Sequence, residues 1–343
     1  MIQQFNVNVE RQLPGDVVLT VGYAGSRSIH ILEGGQNVNI ASPNACSSGS
    51  SPVSGYTFGC GQPNVPWPAN PLNANATIGT ISNIYNNGYA RYDSLQVKAE
   101  TKSGKHGLYA LLGYTYAKAV DNGFSDGLGS NVGVMYYPLP NIGRADMGYS
   151  QIDVAQNFTG SVVYDLPFGK GKPYGNNWSG AANAFLGNWQ VNAIVRLLSG
   201  FPIFFVASNN QSGVGFSNNG NNFNRPNRIC NGQLSNWTVN QYFDTSCFVD
   251  PAAGELGNAS RTPLFGPGFA NTDFSLIKNF ALPMREGMFL QFRAEFFNIF
   301  NHPQFFTPSN NGNYADVDSA GFGVISSTVN NPRLIQFALK LTF

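Results

Sequence analysis

Apolar and polar residues alternate strictly through the last eleven positions of the chain. The apolar positions of this run are Ile335, Phe337, Leu339, Leu341 and Phe343. An alternation with a period of two predicts a β-strand that has one apolar face and one polar face. Its length is about the 9–11 residues with which a tilted strand crosses a lipid bilayer. The run therefore indicates a membrane-spanning strand.

The same alternation recurs along the chain and predicts nine strands. Their predicted ranges are 2–11, 17–25, 91–102, 108–120, 153–166, 189–205, 272–280, 288–297 and 333–343. A short helix is predicted near residues 181–186. Short connections alternate with long ones that are rich in Asn, Gly and Ser. Outer-membrane barrels show this asymmetry, with short periplasmic turns and long extracellular loops. If the C-terminus is periplasmic, all four short connections lie on the periplasmic side.

In parts of two predicted strands, charged and amide side chains lie on one face and apolar side chains on the other. Gln291, Arg293 and Glu295 lie opposite the apolar residues of the eighth predicted strand, and Lys98 and Glu100 do so in the third. Each Lys or Arg on a lipid-facing side near the bilayer midplane would cost about 2–4 kcal/mol. We therefore predict that these five side chains face the interior of a barrel. Arg293 and Glu295 are expected to form a structural ladder more than a binding site.

A soluble β-sandwich with one solvated face would alternate in the same way. Two observations argue against it. Charged residues are 11% of this chain, against about 25% in typical globular domains. The long connections span roughly 30 to 60 residues, more than compact domains usually tolerate. The predicted fold class is therefore all-β, an antiparallel transmembrane β-barrel segment of about 9–10 strands.

The termini and the overall charge add three expectations. The net charge of +1 gives no electrostatic footprint for nucleic acid, so nucleic acid is not an expected partner. The first residues have neither the charged nor the apolar region of a secretory signal. Bacterial single-chain barrels have an even number of strands, so nine strands indicate one of two things. Either a tenth strand lies within a long loop, or, in the interpretation that we prefer, strands N-terminal to Met1 are missing and the barrel is partial or open. We expect residues 1–343 to be a fragment or to have a misassigned start, without signal peptide and earlier strands.

The four cysteines form two local pairs, Cys46 with Cys60 and Cys230 with Cys247. Each pair lies in a segment rich in Gly, Ser, Asn and Pro. Loop-closing disulfides in an oxidising compartment are one interpretation, and free thiols that never meet are the other. Neither spacing resembles a C-x-x-C motif, so a zinc site is not predicted.

Candidate catalytic chemistry is sparse. His30, His106 and His302 are far apart, and none has a carboxylate or Cys neighbour at ligand spacing, which favours surface imidazoles. Asp316 and Asp318 form a D-x-D for which calcium is conceivable, but the 12-residue loop pattern with its closing Glu is missing. The sequence contains neither a P-loop nor a G-x-S-x-G elbow. We predict no enzymatic activity and no cofactor.

Several segments resemble one protein family in the same order along the chain. They are residues 92–98, 113–118, 164–171, 187–192, 199–202, 224–227, 291–303 and 332–341. The most specific segment is QFRAEFFNIFNHP, at residues 291–303. Together they look like the C-terminal barrel of Oar-like TonB-dependent receptors, in which a carboxypeptidase-regulatory-like domain and a plug precede the barrel. The resemblance covers essentially the whole chain.

The resemblance implies a 22-stranded barrel in the outer membrane of a Gram-negative cell, closed by its own plug and driven by TonB. Plug and TonB box are absent from residues 1–343, so TonB would be reached only through an N-terminal plug outside them. The five apolar residues of the last strand, ending on Phe343, resemble the signal with which such barrels are assembled. The implied partners are outer-membrane lipid, the barrel assembly machinery and an unknown nutrient ligand.

The expected function is energy-coupled uptake of a nutrient across the outer membrane. The alternative is an outer-membrane adhesin or structural surface protein that transports nothing. A plug domain and a TonB box encoded in frame upstream of Met1 would favour transport. The sequence singles out no residue that binds the ligand.

Overall fold

Nine long strands form one antiparallel sheet in the computed structural model of the protein. The structure describes residues 1–37, 49–50, 57–58, 81–101, 107–122, 147–208, 225–252, 255–282, 288–309 and 314–343. The strands are β1 (Ile2–Leu13), β2 (Val17–Asn37), β3 (Ser82–Thr101), β4 (Leu108–Asp121), β5 (Gln156–Asp165), β6 (Trp189–Leu198), β7 (Phe269–Ala281), β8 (Phe289–Phe297) and β9 (Leu334–Thr342). Each strand pairs with the next along the chain, so β1 and β9 are the two edges.

Eight of the nine predicted strands are confirmed, and two of these, β2 and β3, extend far beyond their predicted bounds. β2 continues to Asn37, and its extension pairs with the first part of β3, which begins at Ser82. The register shifts between Ile29 and Ile31 and again further along, and the backbone of His30 has φ 56°. Such β-bulges interrupt the alternation of side chains. The period-two pattern therefore ends before the strands do.

The prediction of a single strand over residues 189–205 is wrong. β6 ends at Leu198, and Pro202–Val206 is a separate strand in another sheet. Gly200 lies between them, so close to the next segment that a Cβ there would come within 1.7 Å of the Gly266 carbonyl oxygen. The chain turns away from the main sheet at this close approach, which only glycine permits.

Most of the apolar face of the sheet is uncovered. The residues Ile335, Phe337, Leu339, Leu341 and Phe343 of β9 and the chain end are between 47% and 85% exposed. Val9, Val21 and Leu197, which belong to one row across the sheet, are exposed as well. A sandwich would bury these side chains against a second layer. The exposed apolar face excludes the β-sandwich and agrees with strands that face lipid.

The largest buried core lies in the connections at the long-loop end of the sheet. We call the described parts of residues 199–268 and 298–333 the cap. Its central strand Pro202–Val206 pairs with Leu264–Phe265 on one side and with Tyr314–Asp316 on the other. Two further pairs are Asn227–Arg228 with Phe248–Val249 and Gln233–Thr238 with Gln241–Phe243. A 3-10 helix spans Thr245–Cys247. The buried core residues of the cap are Ile203, Phe205, Phe243, Cys247, Phe248, Leu264 and Ala315.

Stacked aromatic rings fill the centre of the cap. The ring of Phe205 lies 4.3 Å from that of Phe248 and 4.9 Å from that of Phe243, centroid to centroid. Cys230 and Cys247 form a disulfide with a Cα–Cα distance of 4.9 Å. Cys46 and Cys60, the other expected pair, lie outside the described residues.

Four further short elements complete the described structure. Gly148–Tyr149 pairs with the end of β4, and Gly49–Ser50 pairs with Thr57–Phe58. Helix α1 spans Gly180–Leu186, in the connection between β5 and β6, where a short helix is predicted. Ser179 caps it by accepting the backbone N–H of Ala182 at 3.3 Å. No helix in the described ranges is long and apolar enough to cross a membrane.

Candidate functional site

The polar face of the sheet is continuous from β1 to β7. Paired residues of neighbouring strands present their side chains to the same face. One row across the sheet therefore consists of Glu10, Thr20, Lys98, Gly113, Thr159, Arg196 and Asn271. The adjacent row consists of Asn8, Gly22, Gln96, Thr115 and Asn157. These rows bring together residues from strands that are far apart in sequence.

The polar face carries a local concavity. This concavity has a volume of about 480 Å³, and its lining includes Asn8, Glu10, Thr20, Gln96, Lys98 and Thr159. The lining of this concavity has little net charge, because Glu10 and Lys98 carry opposite charges and its other polar groups are hydroxyls and amides. A surface of this kind offers hydrogen bonds to a polar solute that passes over it.

The predicted lumen-facing residues lie on this polar side. Lys98 Nζ is 3.2 Å from Glu100 Oε1, and Arg293 is paired with Glu295 at 2.9 Å. Gln291 Nε2 donates to Asn279 Oδ1 across to the neighbouring strand at 2.9 Å. Both ion pairs join residues two apart on the same strand. They are half-exposed, so each contributes little to stability, and their part in function stays a prediction.

A buried arginine that sequence reasoning missed ties the cap to the sheet. Arg261 is 1% exposed, and its guanidinium is 2.5 Å from Asp121 Oδ1, at the end of β4. It also donates to the carbonyl oxygens of Asp121 at 2.9 Å and Tyr149 at 3.2 Å. The ring of Phe204 stacks below it, 5.6 Å from the guanidinium carbon. Charge, hydrogen bonds and ring contact together fix the cap over β4.

A second buried carboxylate supports the same corner. Asp153 Oδ1 accepts the backbone N–H of Ala119 at 2.5 Å. Burial raises the pKa of Asp153, while the hydrogen bond from Ala119 and the charge of Lys118 act in the opposite direction. The segment before β5 is thereby tied to the end of β4.

The D-x-D sequence builds a turn in the cap. Asp316 is fully buried, and its Oδ1 accepts the backbone N–H groups of Ser208 at 3.2 Å and Asp318 at 3.1 Å. Its Oδ2 accepts the hydroxyl of Ser319 at 2.9 Å. These contacts give the Asp316 carboxylate a structural role. They leave calcium binding at this turn without support from the geometry.

The most specific sequence motif, at residues 291–303, builds the exit from β8. Asn298 has φ 51°, and its Oδ1 accepts the N–H of His302 at 3.0 Å. Gln304 is buried and holds both the N–H and the carbonyl of Ala270, at 2.7 and 2.6 Å. His302 Nδ1 is 2.8 Å from Gln304 Nε2. The motif therefore specifies a turn that joins β8 to the start of β7.

The histidines stay apart in the described structure. His30 Nδ1 lies 3.3 Å from the carbonyl oxygen of Asn86 at the bulge in β2. His302 belongs to the turn after β8, and His106 lies outside the described residues.

Comparison with known proteins gives a family and two distant structural likenesses. The sequence profile described as "Outer membrane beta barrel domain" matches residues 1–336. The outer membrane transporter YddB from Escherichia coli is 10% identical, with a TM-score of 0.44 over 99% of this chain and 32% of that one. The FrpB iron transporter from Neisseria meningitidis (F3-3 variant) is 12% identical, with a TM-score of 0.37 over 98% of this chain and 30% of that one. No curated protein matches the sequence. The chain spans about a third of the length of both transporters.

Proposed function

The chain belongs to the outer membrane β-barrel domain family and lies in the outer membrane, and from this premise we propose that it is part of a TonB-dependent receptor. In this proposal residues 1–343 form the C-terminal part of the barrel of an Oar-like receptor. The receptor takes up a scarce nutrient with energy supplied through TonB. The plug that TonB contacts would belong to a part of the protein outside these residues.

The observation that carries the proposal is the opposite character of the two faces of the sheet. One face is apolar and largely exposed, and the other carries rows of hydroxyl, amide and charged groups. A barrel that only anchors a surface structure has no need of a wide polar interior. A receptor needs one, because the solute must exchange its water for protein groups on its way inward.

In the receptor hypothesis, the cap is the extracellular part that first contacts the solute. It has its own aromatic core and its own disulfide, so it presents a fixed surface above the sheet. Arg261 fixes this surface over the end of β4.

Uptake by the bacterium that carries the gene tests the proposal. The parent and a deletion strain are grown with iron as a siderophore complex, cobalamin, a glycan or a peptide as the limiting nutrient. We expect the deletion strain to lose uptake of one of the four, and a protonophore to abolish the same uptake in the parent. Equal uptake of all four by both strains would refute nutrient import.

The size of the folded cap supports a second candidate, an adhesin or structural surface protein. In that case the deletion strain takes up every nutrient normally but loses attachment to surfaces or envelope integrity. A plug domain with a TonB box encoded in frame with Met1 would argue for the receptor. The two candidates thus differ in both the phenotype and the gene.

A further inference from the structure

A lysine lies on the lipid-facing side of the sheet at its periplasmic end. The register pairs Lys278 of β7 with Trp189 of β6 and Phe292 of β8, which belong to the apolar face. The Lys278 residue is 1% exposed. A charged group on this face is costly unless it has partners.

Helix α1 supplies those partners. Lys278 Nζ donates to the carbonyl oxygen of Asn183 at 3.2 Å and, in a shorter contact, to that of Gly187. These carbonyls belong to the last turn of α1 and its cap, where a helix presents its negative end. The rings of Trp189 and Phe280 flank the ammonium at 5.7 and 5.3 Å.

These contacts place α1 on the outer side of the barrel wall. A second contact agrees, because Trp189 Nε1 donates to the carbonyl of Phe185 at 2.8 Å. Lys278 and Trp189 point away from the polar face, so the helix that contacts both lies on the membrane side. The connection is held in this place from its other end too, where Asn183 Oδ1 accepts the N–H of Lys170 at 2.7 Å.

The outward surface of this connection is apolar and basic. Phe185 is 75% exposed and Leu186 is 60% exposed. Lys170 is exposed, whereas Lys172 pairs with Asp165 of β5 at 3.4 Å. Residues 167–188 contain no acidic residue. The apolar surface is continuous with the lipid-facing side of the sheet at the same end.

We propose that residues 167–188 form an interfacial anchor that binds the phospholipids of the periplasmic leaflet. Phe185 and Leu186 enter the boundary between headgroups and acyl chains, and Lys170 lies at the level of the phosphates. Lys278 is the positioning residue, because its ammonium holds α1 against the wall. The occupant is lipid and not a protein, because the surface continues the face that lipid already covers. The inference is independent of what the barrel imports.

Fluorescence quenching tests the insertion. The F185W variant is purified from outer membranes and reconstituted into vesicles of phosphatidylglycerol and phosphatidylethanolamine whose chains carry bromine near the headgroup. The matched control is I229W, at an exposed residue of the cap. We expect the brominated vesicles to quench the added tryptophan of F185W at least about twofold more than that of I229W, each measured against wild type. Equal quenching of the two would overturn the proposal.

Two further arms test the roles of the lysines. Lys278→Met keeps the length of the side chain without its charge, and in the K278M/F185W protein we expect the extra quenching to fall towards the control. The heat-dependent shift in electrophoretic mobility shows whether this barrel is folded. Unchanged quenching in a folded barrel would refute positioning by Lys278. In vesicles of phosphatidylcholine alone we expect weaker quenching of F185W, and equal quenching would refute recognition of anionic headgroups by Lys170.

Discussion

Removal of the Arg261 side chain should release the cap from the sheet. The Arg261 guanidinium makes an ion pair with the Asp121 carboxylate, and both side chains are buried. It also donates hydrogen bonds to the backbone carbonyls of Asp121 and Tyr149. Arg261→Ala deletes these contacts and removes the guanidinium from beside the buried Asp121 carboxylate. The contact of Phe204 with the guanidinium is lost at the same time.

The expected magnitude follows from the burial of the pair. When one partner of a buried ion pair is removed, the folded state loses about 3–5 kcal/mol of stability, because the other charge stays buried. Since every 1.4 kcal/mol is a factor of ten, the equilibrium for cap opening should shift roughly a hundredfold to several thousandfold. The double variant Arg261→Ala with Asp121→Ala should lose less stability than the two single variants lose together, since it removes both charges of the pair.

Amide hydrogen exchange measures the opening of the cap directly. We expect faster exchange in the cap segments 225–252 and 255–265, and unchanged exchange in β7, β8 and β9. Arg293→Ala is the matched control, because its pair with Glu295 is half-exposed and lies away from the cap. Protection of the cap segments in Arg261→Ala equal to that in wild type would refute the clamp.

Three further predictions concern the disulfide, a buried tyrosine and the lipid-facing side. Cys230→Ser with Cys247→Ser removes a disulfide between residues 17 apart, which should destabilise the cap by about 3 kcal/mol in urea; an unchanged midpoint would contradict this. Burial raises the pKa of Tyr242 to about 12, so the unfolded chain loses its proton first, and cap stability should fall as pH rises above about 10. Absorbance at 295 nm in Tyr242→Phe should lack the component that titrates last. Phe337→Arg should destabilise the barrel by about 2–4 kcal/mol, whereas Gln336→Arg on the polar face should not; equal urea midpoints would contradict the assignment of the faces.

The strands could be predicted from the sequence because one face of each meets lipid. Hydrocarbon selects apolar residues at every second position, and β8 and β9 show that selection without interruption. The part of β2 from His30 to Asn37 shows no such pattern, because the β-bulges that begin near His30 shift the side chains between the two faces. The strand after Gly200 was missed for another reason. Pro202–Val206 is buried on both faces and continues the apolar run of β6.

The site residues that were predicted lie within a local alternating pattern, and the one that was missed does not. Lys98, Glu100 and Arg293 lie at positions that alternate with apolar residues, so their face follows from the local pattern. Arg261 has no such pattern around it, and its partner Asp121 is 140 residues away. No local signal could have joined them.

Lys278 did leave a signal in the sequence. It replaces an apolar residue in the series of even-numbered positions of β7, between Leu276 and Phe280. A charge in a lipid-facing series requires a partner from outside the strand. A search for such interruptions would have identified Lys278 and indicated that another element covers it.

The cap and the sheet are stabilised by different means, and this separates their functions. The exposed apolar face makes the sheet dependent on lipid, whereas the cap has a buried aromatic core and a disulfide of its own. Arg261 is a buried charged contact between the two in the part of the chain that the structure describes. Weakening this contact therefore opens the cap without unfolding the sheet, and a receptor whose cap binds the solute would lose affinity while its barrel stays assembled.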